Sequence, residues 1–215
     1  MKIPEITNCD YEHVILNEND PQIVLIKNFI SNEEKENILE YIDTLEPLRA
    51  TTVLNGESVV SDSRIATTYS NWNGKWATET LMNIDKRIMK LTNWKTHLSE
   101  NWAFIRYGIG EKYSPHFDYL DEDIPKVKIR QHGIRKQRNG TFLLYLKDAE
   151  EGGLTCFPRL KLNIKAEPCD GIFFNYIPGG TINSFHGGTT VRKGEKIIAN
   201  RWLNTMSNDD LVLLQ

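Results

Sequence analysis

The sequence predicts a mainly β, α+β fold: a double-stranded β-helix, or jelly roll, with N-terminal helices packed on one face. Three observations carry this. Helical periodicity is confined to the first hundred residues. From about residue 101 the texture changes to short β-rich segments separated by Gly-Gly, Asp-Gly, Pro-Gly-Gly and Lys-Gly-Glu punctuation. Those segments follow one another without intervening helices, which argues against alternating βα units and for a sandwich or barrel.

The elements can be justified in chain order. Ser31-Asn32-Glu33-Glu34 has capping-box spacing, with Ser31 placed to take the N3 amide and Glu34 to reach back. Ile38, Leu39, Ile42 and Leu45 then fall on one helical face, and Pro47 stops the pattern. Asn55-Gly56 amid β-branched residues signals a hairpin across 51–60. A second amphipathic stretch after Trp76 puts Leu81, Ile84, Ile88 and Leu91 on one stripe, read as core that covers a sheet. Strands are expected at 102–107, 141–146, 154–157, 161–164, 171–176, 182–186 and 196–203. Residues 1–100 are thus a helix-containing part packed on a jelly-roll core of 101–205, one structural domain overall.

Composition narrows the classes. A chain of 215 residues that is 40% hydrophobic and 26% charged is an ordinary globular domain. A net charge of -3 implies no global attraction to nucleic acid or anionic membrane. No apolar run approaches the roughly 18 residues that span a bilayer, and the first twenty residues lack the apolar segment of a secretory signal. Cys9, Cys156 and Cys169 are odd in number and far apart, so neither a disulfide framework nor a cysteine zinc site is expected. Each is read as a small buried apolar residue, and the chain as cytoplasmic, in a bacterial or viral setting.

The chemistry-bearing residues begin at His116-Phe117-Asp118. On an extended strand, residues two apart project from one face, so a single ion can reach both. A distant His186 is able to supply a third ligand. Two imidazoles and a carboxylate on one side of an octahedral ion favour a non-haem Fe(II) oxygenase, although zinc accepts the same ligand types. His13, His97 and His132 have no matching partners and are read as structural or surface residues. Lys196 follows His186 by ten positions on the last expected strand. Pointing inward, its ammonium needs an anion, such as the distal carboxylate of a dicarboxylic keto acid that chelates the metal; the alternative is that it points outward to water. The segment 119–138 starts acidic at Asp121, Glu122 and Asp123, then turns basic at Lys126, Lys128, Arg130, Arg135, Lys136 and Arg138. It reads either as a solvated loop or as a flap beside the metal that contacts substrate.

Five ordered blocks then resemble the prolyl 4-hydroxylase group of Fe(II)/2-oxoglutarate dioxygenases. They are Asp62-Ser63-Arg64; the run 104–119 with Arg106-Tyr107-Gly108 and Tyr113-Ser114-Pro115-His116-Phe117-Asp118; Thr141 to Leu146; Gly152-Gly153 with Thr155-Cys156-Phe157-Pro158; and His186-Gly187-Gly188 through Gly194-Glu195-Lys196 to Arg201-Trp202-Leu203. The resemblance implies that His116, Asp118 and His186 ligate iron, that Lys196 pairs with the 2-oxoglutarate carboxylate, and that Tyr107 hydrogen-bonds the keto acid. It implies that Tyr113 and Trp202 line the substrate side, and Trp102 offers further flat surface there unless it is core. The implied reaction is C–H hydroxylation with O2, most readily of peptidyl-proline, yielding succinate and CO2, with ascorbate as a candidate reductant. The partner is then a proline-containing peptide or protein, with no membrane and no nucleic acid. The same chemistry on a free amino acid, another side chain or a small metabolite is the runner-up, and a non-catalytic jelly-roll binding module is the remote alternative. Leu154 stands where the family has an acidic residue, and Thr190-Val191 where it has Pro-Val; both departures bear on substrate rather than chemistry.

Overall fold

The computed structural model describes residues 3–54, 57–69, 78–95, 100–120 and 137–205. In chain order the elements are β1 (His13–Asn17), β2 (Ile23–Ile26), α1 (Asn32–Asp43), β3 (Pro47–Arg49), β4 (Thr52–Leu54), β5 (Glu57–Val59), β6 (Arg64–Ile65), β7 (Thr67–Tyr69) and α2 (Glu79–Thr92). They continue with β8 (Ala103–Tyr107), β9 (Lys112–His116), β10 (Arg138–Lys147), β11 (Glu151–Gly152), β12 (Thr155–Phe157), β13 (Leu162–Ile164), β14 (Gly171–Asn175), β15 (His186–Gly188), β16 (Val191–Lys193) and β17 (Lys196–Asn204).

An eight-stranded antiparallel sheet runs β1-β2-β14-β10-β17-β8-β7-β3, and a five-stranded one runs β13-β12-β15-β9-β6. The fold is a jelly roll. Strand alternation divides the large sheet's side chains between two cores. Phe104, Phe142, Leu144, Phe173, Ala199 and Leu203 face the helices. Ile105, Leu143, Tyr145, Ile172, Phe174 and Ile198 face inward, where Phe157 and Ile164 of the small sheet meet them. β10 and β17 are therefore buried on both faces, which explains their near-continuous apolar runs.

The helices form as the sequence expects. Glu34 N donates to Ser31 Oγ at 3.1 Å, and Ser31 N donates to Glu34 Oε2 at 2.9 Å, completing the capping box. The other Glu34 oxygen pairs with Arg87 at 2.6 Å and ties α1 to α2. Leu81, Ile84, Ile88 and Leu91 are all buried against the sheet, each contributing on the order of 1.5–3 kcal/mol. On α1, Ile38 and Ile42 are buried and Leu39 packs at the core's edge; the helix ends at Asp43, so Leu45 packs there from just beyond it.

Several expectations are corrected. β1, β2, β3 and β7 extend the large sheet and β6 the small one, although none of them was read as a strand. Short, exposed or half-buried edge strands such as β3 carry no clean period-two pattern, which is why periodicity misses them. Ile182–Ser184 is a 3-10 turn, and the strand starts only at His186. Cys169 is buried, but Cys9 and Cys156 are half-buried, and all three are free. β4 and β5 pair as the hairpin expected around Asn55-Gly56, with Leu54 opposite Glu57; those two turn residues lie outside the described residues. So does 121–136, and with it most of the mixed-charge segment. No helix among the described residues is long and apolar enough to cross a membrane.

Candidate active site

The two histidines are brought together by sheet register. His116 ends β9 directly opposite His186, which begins β15, and their ring centroids lie 4.5 Å apart. Gly187 permits this approach, since a Cβ there would sit 2.7 Å from the Tyr113 carbonyl and 2.9 Å from Pro115 N. The strand stops at His116, so Asp118 lies in the bend just beyond it rather than on the strand itself. Its carboxylate nevertheless reaches the imidazoles, with Oδ1 3.3 Å from His116 Nε2 and Oδ2 3.6 Å from His186 Nε2. One ligand atom from each of the three residues falls within 4.8 Å of the others.

Surrounding groups orient this set. The Ser114 carbonyl lies 3.0 Å from His116 Nδ1, and the Ser184 carbonyl 2.9 Å from His186 Nδ1. Carbonyls only accept, so each Nδ1 carries a proton, and Nε2 is the ring atom left on the Asp118 side to meet a metal. Thr141 Oγ1 donates to Asp118 Oδ2 at 2.6 Å, and the Tyr176 hydroxyl lies 2.9 Å from Thr141 Oγ1. Arg138 Nη1 donates to the Asp118 carbonyl at 3.0 Å. Burial opposes ionisation of Asp118, but the imidazoles of His186 and His116 together with Arg138 hold its carboxyl well below the usual range. Burial, opposed by Asp118, lowers His186 to about 4, so it is a neutral donor near pH 7. Two imidazoles and one carboxylate with ligand atoms gathered around one point suit a divalent transition metal.

Across the cleft, Lys196 starts β17 directly opposite Tyr107 of β8. Its ammonium is buried at 3% exposure and donates to the Gly153 carbonyl at 2.8 Å and to Thr155 Oγ1 at 3.2 Å, with the Tyr145 hydroxyl at 3.5 Å. No described carboxylate pairs with it. Burial lowers its pKa to about 8, and burial likewise raises that of Tyr107 to about 12. A buried cation among neutral acceptors is the complement of a small anion, and the carboxylate of a keto acid fits it. The water-facing alternative for Lys196 is not what the fold builds.

His116, Asp118, His186, Lys196, Thr155 and Tyr107 line one cleft together with Arg64, Tyr113, Leu143, Asn200 and Trp202. Alternation along β17 places Lys196, Ile198, Asn200 and Trp202 on the cleft side, while the intervening residues face the helices. The Tyr113 ring stacks on His116 at 3.6 Å, and Arg64, its cross-strand partner, lies 4.8 Å above the same ring. Trp102 is buried on the helix side and belongs to the core.

Sequence reasoning missed the roles of Thr141, Thr155, Arg64 and Asn200, and misplaced Arg138. That residue opens β10 with its side chain 13% exposed, pairs with Glu100 through two nitrogens, the second at 2.6 Å, and covers the Trp202 ring at 3.8 Å. The signal was available in part: Arg138 stands three positions before Thr141, beyond the basic run proper.

The chain is similar to known proteins of one family. Residues 102–204 match the 2OG-Fe(II) oxygenase superfamily. The chain is 30% identical to probable prolyl 4-hydroxylase 10 of Arabidopsis thaliana, over 86% of this chain and 69% of that protein. It is 30% identical to prolyl 4-hydroxylase 5 of the same plant, with the same coverage. The viral collagen prolyl hydroxylase of Paramecium Bursaria Chlorella virus-1, solved with 2-oxoglutarate, superposes with a TM-score of 0.63 at 28% identity, over 86% of this chain and 96% of that one. The chain is an Fe(II)/2-oxoglutarate-dependent dioxygenase. It belongs to the prolyl 4-hydroxylase family of those enzymes.

Proposed function

We propose that this dioxygenase hydroxylates prolyl residues within a peptide or protein. The observation that carries the reading is the placement, on facing walls of one cleft, of a His-Asp-His set and a buried lysine with no carboxylate partner among the described residues. In this reading His116, Asp118 and His186 hold Fe(II), while Lys196, with Tyr107 beside it, holds the distal carboxylate of 2-oxoglutarate. When bound, iron, keto acid and O2 supply the oxidation that hydroxylates a C–H bond and releases succinate and CO2. The chain's own residues bind and orient. The Tyr113 and Trp202 rings give flat apolar walls at the mouth, which suit the face of a proline ring. Arg138 fixes Trp202 by lying over it, and Thr141 holds the outer oxygen of Asp118. The prolyl 4-hydroxylase names of the relatives support the same substrate class. Ascorbate is the reductant this reading expects to sustain turnover.

The test is succinate release in the presence of proline-rich peptides and of free proline. Stimulation by the peptides alone is expected. Stimulation by free proline, or by neither, contradicts the reading.

A further inference from the structure

We propose that the side-chain amide of Asn200 reads the backbone N–H of the residue that follows the target proline. The enzyme then acts on a chain that continues past its proline, and not on free or C-terminal proline. This rests on the peptidyl-proline reading above and specifies it.

Asn200 is 5% exposed and lines the cleft, yet its Oδ1 has no hydrogen-bond partner among the described residues. A buried amide oxygen left unmatched loses its hydration with nothing in return, so a polar group this deep marks a place where a ligand completes it. Its position says which ligand. Along β17 it stands between Lys196 and Trp202 on the cleft side. The strand rise puts it about 13 Å from the start of Lys196 and about 7 Å from Trp202, one same-face step from the wall proposed for the proline ring. It therefore belongs to the substrate side rather than to the keto-acid end.

Chemistry then narrows the partner. The unmatched atom is an acceptor and needs a donor. 2-Oxoglutarate presents only carboxylate and keto oxygens, which accept. The nitrogen of a prolyl residue is a tertiary amide without hydrogen. The first backbone donor beyond the reacting ring is the N–H of the next residue. Trp202 Nε1 is also buried with no partner among the described residues, and it is a donor. Together the two side chains present one acceptor and one donor, the complement of the N–H and C=O of a peptide unit.

Two synthetic peptides of identical sequence test this, one with glycine and one with sarcosine (N-methylglycine) directly after the target proline. Succinate release is measured with the wild type and with Asn200→Leu, and peptide affinity is measured anaerobically with Fe(II) and 2-oxoglutarate present. In the wild type the methylated peptide is expected to lose roughly three- to tenfold in kcat/KM and a similar factor in affinity, the range for one neutral hydrogen bond. In Asn200→Leu the two peptides are expected to perform alike. Comparing the two ratios cancels any effect of methylation on the free peptide. Equal handling of both peptides by the wild type overturns the proposal, and this comparison stands even if Asn200→Leu fails to fold. Undiminished discrimination by Asn200→Leu also overturns it, because the N–H is then read elsewhere. Failure of the peptidyl-proline reading itself looks different: neither peptide stimulates succinate release although Fe(II) and 2-oxoglutarate bind, and the present inference falls with it.

Discussion

The two ends of the cleft are built on opposite principles. At the Lys196 end the protein answers its own polar groups: the ammonium has Gly153 and Thr155 as acceptors, and Tyr145 hydrogen-bonds Thr155. Toward the mouth, Arg64 Nε, Trp202 Nε1 and Asn200 Oδ1 are buried with no hydrogen-bond partner among the described residues. The closed end carries one unbalanced charge, which in the proposed reading meets the small ligand that is the same in every turnover. The mouth leaves directional hydrogen-bonding capacity for a larger ligand. Cosubstrate binding should therefore depend on charge, and substrate choice on neutral hydrogen bonds and ring contacts.

The sharpest way to break that division is at the His-Asp-His set proposed to hold the metal. His186→Ala is expected to lower Fe(II)-dependent turnover by more than about a hundredfold, beyond the effect of losing a supporting group; turnover near wild type, measured as succinate release, would remove His186 from the centre. Next comes the charge at the closed end. Lys196→Ala is expected to weaken 2-oxoglutarate binding by about 2–5 kcal/mol, read by titration, without a matching change in peptide affinity. The support of Asp118 comes third. Thr141→Val is expected to reduce Fe(II) affinity or activity by about ten- to a hundredfold, with Thr141→Ser keeping most of both, since serine retains the hydroxyl that donates to Oδ2.

The smallest effect is set by pH. Lys196 is charged below its folded pKa of about 8 and neutral above it. Only the charged form attracts a carboxylate, so 2-oxoglutarate affinity should hold on the acid side of 8 and fall toward tenfold per pH unit above it. The sign follows from the direction of the shift, because a lysine at its usual value would show no such fall until about pH 10. Binding that stays flat through pH 9 would mean that Lys196 does not meet the anion.

Much of this arrangement is legible in the sequence, and the limits are physical. Strands with both faces buried or with clear alternation, β8, β10, β14 and β17, announce themselves, and alternation on β17 alone separates cleft-facing from helix-facing residues. The edge strands are set by pairing with distant neighbours and have no local pattern; β1 and β2 join the sheet only through β14. His116 and Asp118 are readable from their spacing, but the pairing of His116 with His186 is a register fact seventy residues apart. Thr141 and Asn200 were hidden by their settings, since a threonine or asparagine inside an apolar run reads as strand texture until a neighbour gives it a role. Arg138 reads as part of a basic run because its partner Glu100 is remote in sequence.

The most direct test of the central claim is an anaerobic titration of the protein with Fe(II) and 2-oxoglutarate, followed by the visible absorption of the iron–keto acid chelate. A band that saturates at one equivalent of iron, disappears in His116→Ala and needs much more 2-oxoglutarate in Lys196→Ala is the predicted result. No band in the wild type, or the same band in His116→Ala, would contradict the assignment of this cleft as the iron and 2-oxoglutarate site.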